Sequence, residues 1–413
     1  MYISVRESPV GEQVSPAGRI RRRVATTVVL LGVVSLLTDV SSEMVNAILP
    51  LYLTAEMGLG LLAYGFVDGV YQGVSAFVRI LGGYAGDRGR RPKWVAVAGY
   101  GISAVSRLAM LPAHGLAAIT GVVTADRLGK GLRTAPRDAL IADSSEPSML
   151  GRSFGVHRAL DTLGAAIGPV VAFALLAALP RGYRAIFVVS FAVALIGLAV
   201  LVLFVPDKRV GGDGTRPGLR ELVRTATAPR LRRTLLAAGL LGVLTVGDGF
   251  LYLSLQRRDD FAALLFPLLY VGTNIAYLSL AVPLGRLADR IGRARVLVGG
   301  HVALLLAYLF AASPIGGPAW TIASLVLLGI FYAATDGVLA ALVSRLVPAA
   351  TRGTGIAAAQ TVVVLARFAS SLAFGGLWVG IGRQPALLLF TGALALAIPT
   401  AAWLLRTTDR AAS

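Results

Sequence analysis

Residues 83–91 read GYAGDRGRR and residues 285–293 read GRLADRIGR. Each stretch follows a long apolar run. Each sets an Asp-Arg pair, Asp87-Arg88 and Asp289-Arg290, four residues after a glycine and ahead of more arginine, with Arg90 and Arg91 in the first copy and Arg293 in the second. The copies lie 202 residues apart, and two other pairs keep nearly the same offset: Asp39 with Asp248 at 209, and Gly131 with Gly337 at 206. Three similar offsets in three separate places read as an internal duplication.

Composition says where such a chain resides. Of 413 residues, 56% are hydrophobic and 15% charged, and the mean hydropathy is +0.75. A soluble domain of this size needs a more polar surface. The 48 glycines suit helices that approach closely in lipid. With no cysteine, disulfides and thiolate metal sites are excluded.

A helix needs about 20 mostly apolar residues to cross the hydrocarbon. Hydropathy predicts twelve spans, at 24–53, 60–84, 94–113, 115–134, 153–179, 185–205, 234–256, 261–284, 295–313, 319–343, 354–380 and 385–405. These runs are continuous and Leu/Ala-rich, unlike the short alternating strands of a barrel. The predicted organisation is an all-α membrane protein of two pseudo-symmetric six-helix bundles. A tail (1–23) precedes the first bundle (24–205), a polar linker (206–233) joins it to the second (234–405), and a short tail (406–413) follows. Within the linker, Leu219 to Thr227 reads as a short amphipathic surface helix.

Charge sets the orientation. With the N-terminus inside, thirty of the 39 Lys and Arg residues fall in the two tails and the cytoplasmic loops. Five (Arg181, Arg184, Arg257, Arg258, Arg383) fall on the other side, and four (Arg79, Arg107, Arg127, Arg367) within spans. This asymmetry predicts a multi-pass protein of the cytoplasmic (inner) membrane with both termini in the cytoplasm. It accounts for the net charge of +18 without nucleic acid as a partner. Arg21-Arg22-Arg23 does not read as the start of a signal peptide, because the following run meets Asp39 and Glu43 and no small-residue cleavage site follows.

Ionisable groups inside a bilayer are costly and face a bundle interior or an aqueous gap. Helical spacing puts Ser35, Asp39, Ser42, Glu43 and Asn46 on one face of span 1, and Asp68, Gln72, Ser75 and Arg79 on one face of span 2. His157, Asp161, Gly164 and Gly168 line up in span 5, and Thr245, Asp248, Tyr252 and Gln256 in span 7. Span 8 offers Tyr270, Asn274 and Tyr277, read either as solute contacts or as interhelical hydrogen-bonding groups. No nucleotide-binding loop is present, and His114, His157 and His301 lack metal-ligand spacing, so no cofactor, metal or enzymatic activity is expected.

The duplicated G-x-x-x-D-R stretch resembles the cytoplasmic loop signature of the major facilitator superfamily. The second copy keeps the motif's spacing, and the first is one residue short. Arg127-x-x-Lys130-Gly131 is similar to the family's Arg-x-x-Gln-Gly mark in helix 4, with Lys in place of Gln. Gly164-x-x-x-Gly168-Pro169 resembles a motif associated with proton-driven exporters, and SLLTDVSSEM (residues 35–44) resembles a subgroup of bacterial carriers.

The resemblance implies a monomeric secondary transporter whose helices 1, 4, 7 and 10 line most of a solute pathway. This sequence has acids in all four: Asp39 and Glu43, Asp126, Asp248, and Asp336. Asp39 or Glu43 is the expected proton carrier, with Arg127 as counter-charge. Asp68, Gln72, Tyr252, Asn274 and Tyr277 complete the expected site. The duplicated loops imply a latch, in which Asp87 meets the start of helix 11 near Gly353 and the flanking arginines pair with acids. The same arginines also read as plain topology signals and lipid headgroup contacts.

The expected activity is proton-coupled export of a small organic solute, with solute, protons and membrane lipid as partners. Proton-coupled import, a transporter-shaped receptor or scaffold, and a metal exporter using Asp39, Glu43 and Asp248 are the rival expectations.

Overall fold

The computed structural model describes residues 24–88, 91–146, 149–207, 229–347 and 352–406, with backbone only for 75–88, 230 and 352–354. Among the described residues, helices occupy every predicted span and no strand occurs. The first half holds α1 (Thr26–Asn46, continued by Leu49–Leu51 and Tyr52–Glu56), α2 (Leu61–Arg88), α3 (Pro92–Ala109), α4 (Gly115–Asp143), α5 (Leu150–Ala178) and α6 (Tyr183–Phe204). The second holds α7a (Pro229–Gly242) with α7b (Asp248–Asp259), α8 (Phe266–Ile291), α9 (Arg293–Ala312), α10a (Pro318–Thr335) with α10b (Val338–Leu346), α11 (Arg352–Ile381) and α12 (Arg383–Leu405). Pro229 to Arg233, read from sequence as linker, already belong to α7a. The Leu219–Thr227 stretch lies outside the described residues.

Among the described residues, eight helices are long and apolar enough to cross a membrane. Their outer faces stay apolar, as lipid contact requires: Leu396 is 75% exposed and Leu203 72%. Two of the helices outside those eight fall short for identifiable reasons. α7 is two short pieces, and α4 carries Asp126, Arg127, Lys130, Arg133, Arg137 and Asp138 along one helix.

Here the structure corrects the sequence reading. Span 4 does not stop at residue 134 but runs on to Asp143, so Arg137, beyond the predicted end, shares one helix with Lys130 and Arg133. Hydropathy rejects them because it scores each charge as if it were alone. In the fold, Arg133 and Arg137 meet partners from neighbouring helices.

Small residues set the helix spacing within the first half. Gly99 and Gly129 bring α3 and α4 together, each against the other's carbonyl oxygen. Gly164 lies on the backbone of Leu36, and a Cβ on Gly168 would sit 2.8 Å from the Cβ of Glu43. The Gly-x-x-x-Gly of α5 is therefore what lets α5 pack directly against the polar stripe of α1.

The second half departs from its twin by breaking two helices. α7 opens over 243–247, a stretch with Val243, Thr245, Val246 and Gly247. Tyr308 of α9 closes the resulting backbone deficit: its hydroxyl accepts from Val246 N–H at 2.7 Å and donates to Leu244 O at 3.1 Å. α10 opens at Asp336-Gly337, where Gly337 takes φ +78°, a left-handed value that favours glycine. Its pseudo-symmetric counterpart Gly131 stays inside a continuous α4.

The halves meet along α2 with α11 and α5 with α8. At the face opposite the start of α1 they are sealed by aromatic rings. Tyr64 packs on Phe250 at 4.7 Å, Phe250 on Phe374 at 5.2 Å and Phe374 on Trp378 at 5.8 Å between centroids. Gly65 lies on the carbonyl of Ser371 and Gly375 on that of Leu61, so the backbones of α2 and α11 touch there.

Candidate functional site: a charged cavity between the halves

A cavity of about 570 Å³ lies between the two bundles. The first half contributes Glu43, Asn46, Gln72, Arg127 and Lys130, and the second His301, Thr335, Asp336, Gln360 and Arg367. Thr134, Ala340 and Ile356 carry its wall toward the face where α1 begins. The aromatic seal blocks the other end. The cavity thus opens to one face, the one that charge distribution reads as cytoplasmic.

Of the eleven expected solute and proton residues, Glu43, Gln72, Arg127 and Asp336 line this cavity. Glu43 accepts a hydrogen bond from Asn46 Nδ2 at 3.0 Å, and among the described residues no cation stands within ion-pair distance of it. Asp336 sits at the break of α10, exposed both to this cavity and to a smaller one of about 130 Å³ between α5 and α8.

The other seven lie elsewhere. Asn274 and Tyr277 line the smaller cavity beside Arg158 and Asp161. Tyr252 is fully buried and donates to Thr273 Oγ1 at 2.8 Å, a tie between α7b and α8. Asp248 begins α7b and accepts from Tyr332. Asp68 accepts from Ser371 Oγ at 2.6 Å and faces Gly247, which puts it in the contact between the halves.

Asp126 is 7% exposed and shared by two cations, Arg107 of α3 and Arg127. Arg107 also donates to Ser42 Oγ at 2.7 Å, and the Arg127 guanidinium lies 3.8 Å from the Tyr71 ring centroid. Asp39 is 8% exposed and stands 3.8 Å from Arg133, whose guanidinium covers the Tyr100 ring at 4.5 Å. The counter-charge expected in Arg127 is therefore spent on Asp126, and Asp39 has Arg133 instead. Asp39, Glu43 and Asp248 are not gathered into one cluster, and among the described residues no group of three or more acids or histidines could hold a metal ion.

Ser35 lies within hydrogen-bond distance of Tyr100 and His157, each at 3.5 Å, and Arg137 donates to it at 3.3 Å. Only the distal end of the span 1 stripe, Glu43 and Asn46, reaches the cavity.

Lys130, Arg367, His301 and Gln360 are cavity residues missing from the expected site. Arg367 carries a signal that could have found it, since an arginine in mid-span is a site candidate by default. Lys130 lies inside predicted span 4, where the motif reads it only as a Lys in place of Gln.

Of the expected latch, the side chains of Asp87 and Arg88, and Arg90 altogether, lie outside the described residues, and Gly353 is described only as backbone at the start of α11. Arg91 is exposed just before α3. In the second copy Arg293 pairs with Asp289 at 2.8 Å and donates to Ala341 O of α10b at 2.8 Å, while Arg290 is exposed.

A lipid-faced helical bundle with a one-sided polar cavity between two halves defines a multi-pass membrane carrier. The sequence description of the Major Facilitator Superfamily matches residues 31–371 and 259–413, and the chain belongs to that family of secondary transporters. It is 33% identical over 373 residues to an uncharacterized MFS-type transporter, MJ1317, of Methanocaldococcus jannaschii, spanning 86% of this chain and 89% of that one. Its fold is similar to the nucleoside transporter NupG, with a TM-score of 0.79, 14% identity, and coverage of 92% and 99%. It is likewise similar to a POT family transporter in complex with 5-aminolevulinic acid, with a TM-score of 0.77, 15% identity, and coverage of 94% and 97%.

Proposed function

We propose that this transporter couples solute movement across the cytoplasmic membrane to protons through Glu43, by alternating access about the central cavity. The observation that carries this reading is the position of Glu43: a carboxylate at the junction of the halves, open to the cavity and held by a neutral amide, with no cation within ion-pair distance among the described residues. Asp126 and Asp39 are engaged by guanidinium groups and support the bundle, whereas Glu43 is available to exchange a proton with the cavity. Gly168, with no side chain, keeps α5 pressed against the backbone that presents it.

Export against proton influx is the direction implied by the resemblance of the Gly-Pro motif in α5. The cavity faces the side from which an exporter loads. Import with a proton is the second reading, favoured by the cavity cations Lys130 and Arg367, since a proton taken up by Glu43 offsets the negative charge that an anionic solute brings into the cavity.

The test uses purified protein in liposomes with a trapped pH-sensitive dye, and solutes first selected by thermal stabilisation. Solute gradients should drive proton flux in the wild type and in Asp39→Asn. Glu43→Gln should keep solute counterflow and lose the proton flux. Proton flux in Glu43→Gln equal to wild type would overturn the assignment. The sign of the flux in right-side-out against everted vesicles separates export from import.

A further inference from the structure

We infer that the solute carries an anionic group, a carboxylate or a phosphate, held in the cavity between Lys130 of α4 and Arg367 of α11. This rests on the reading of the cavity as the solute site and names the chemistry of its occupant.

The two cations stand on walls contributed by opposite halves. Among the described residues neither has a carboxylate within ion-pair distance, while the buried cations around them are matched: Arg107 and Arg127 by Asp126, Arg133 by Asp39, Arg137 by Asp138 and Asp161. Arg367 packs under the faces of Phe331 and Tyr332 at 6.0 and 5.9 Å, and its Nε is buried without a hydrogen-bond partner. A buried guanidinium donor left unmet is a standing cost unless something completes it. A planar carboxylate or a phosphate does so, because the guanidinium fork fits two oxygens at once while an ammonium such as Lys130 adds a point charge.

The acids that face them, Asp39 and Glu43 toward Lys130 and Asp68 and Asp248 toward Arg367, stay beyond ion-pair distance. Glu43 is held by Asn46, and Asp336 sits at the α10 break, where it also faces the smaller cavity. The volume of about 570 Å³ falls within the range of sites for metabolite-sized molecules. An anion bridging α4 and α11 also ties the two halves together at the depth where they must move past each other. Solute binding there is therefore coupled to the opening of the cavity.

The experiment is equilibrium binding to the full chain in nanodiscs of uncharged lipid. The anionic probes are succinate, glycerol 3-phosphate and inorganic phosphate, and the controls are glycerol, succinamide and putrescine. Saturable binding of at least one anion and of no control is expected. Succinate against the two phosphates tells carboxylate from phosphate. Lys130→Gln and Arg367→Gln should each weaken that binding by at least about tenfold. Lys130→Arg should retain most of it and Arg367→Lys only part, which separates loss of charge and of the bidentate fork from loss of fold.

Binding of no anion, preference for glycerol, succinamide or putrescine, or anion binding unaltered by both charge-removing substitutions would each overturn the proposal. The measurement applies no gradient, so its failure leaves proton coupling at Glu43 standing. Failure of the Glu43→Gln flux test in turn leaves the anion clamp standing.

Discussion

At the scale of single residues, the fold divides its intramembrane charges into those that hold it together and those that face the gap. Asp126 belongs to the first group, because one carboxylate serves two guanidinium groups that are each 4% exposed. Asp126→Asn leaves Arg107 and Arg127 without an anion, and breaking such a buried pair is expected to destabilise by about 3–5 kcal/mol. A large fall in melting temperature of the purified protein, with loss of yield, should follow. An unchanged melt would mean these charges are solvated. Beyond the apolar run of span 7, Asp259 shows the same logic outside the membrane. Hydrogen bonds from Arg258, then Thr321 and Gly317 N–H, hold its carboxyl at about 2, well below the ordinary aspartate value. The folded state is the better acid, so the stabilisation is complete above the unfolded pKa and disappears as pH falls toward about 2. The wild type should therefore lose more thermal stability between pH 5 and pH 3 than Asp259→Asn, as read by melting curves at each pH.

At the scale of helices, how much was legible in the sequence depended on whether a charge stood alone. Hydropathy placed a helix at each predicted span, because lipid contact makes the apolar signal long and continuous, and among the described residues eight of these helices are long and apolar enough to cross a membrane. It failed at α4, where pairing across helices lets charged residues continue a span, and it gave no sign of the breaks in α7 and α10. The break in α7 is met by Tyr308, more than sixty residues distant in the chain, a contact that no local pattern records. Of the site, the periodic stripe on α1 was readable, and Glu43 at its distal end faces the cavity. The same period could not tell Glu43 from Asp39, because facing inward is common to both and only the neighbours on α4 distinguish them. Tyr252, Asn274 and Tyr277 shared that inward period and proved to tie helices or to line the smaller cavity. Two substitutions test the elements themselves. Gly168→Val should force α1 and α5 apart at Glu43, at roughly 1–3 kcal/mol for overpacking, with loss of transport exceeding the loss of folded protein. Gly337→Val should strain the positive-φ break in α10 and lower transport, whereas the equivalent Gly131→Ala, inside a continuous helix, should be milder.

At the scale of the molecule, the asymmetry between a sealed aromatic face and an open polar one is one of two states that a carrier must visit. The seal is apolar and rests on backbone contact at Gly65 and Gly375, with Asp68 and Ser371 as its polar tie. Opening it requires α2 and α11 to separate, and closing the other face requires Lys130 and Arg367 to approach. The absence of cysteine allows this motion to be followed directly. The decisive measurement is labelling of a single cysteine at Thr335, on the cavity wall, by a membrane-impermeant maleimide applied separately to each side of the membrane. The account predicts labelling in everted vesicles and also, more slowly, in right-side-out vesicles, with Gly65→Leu at the seal shifting the ratio between them. Reactivity confined to one side under all conditions, or none from either, would contradict a cavity that alternates between the two faces.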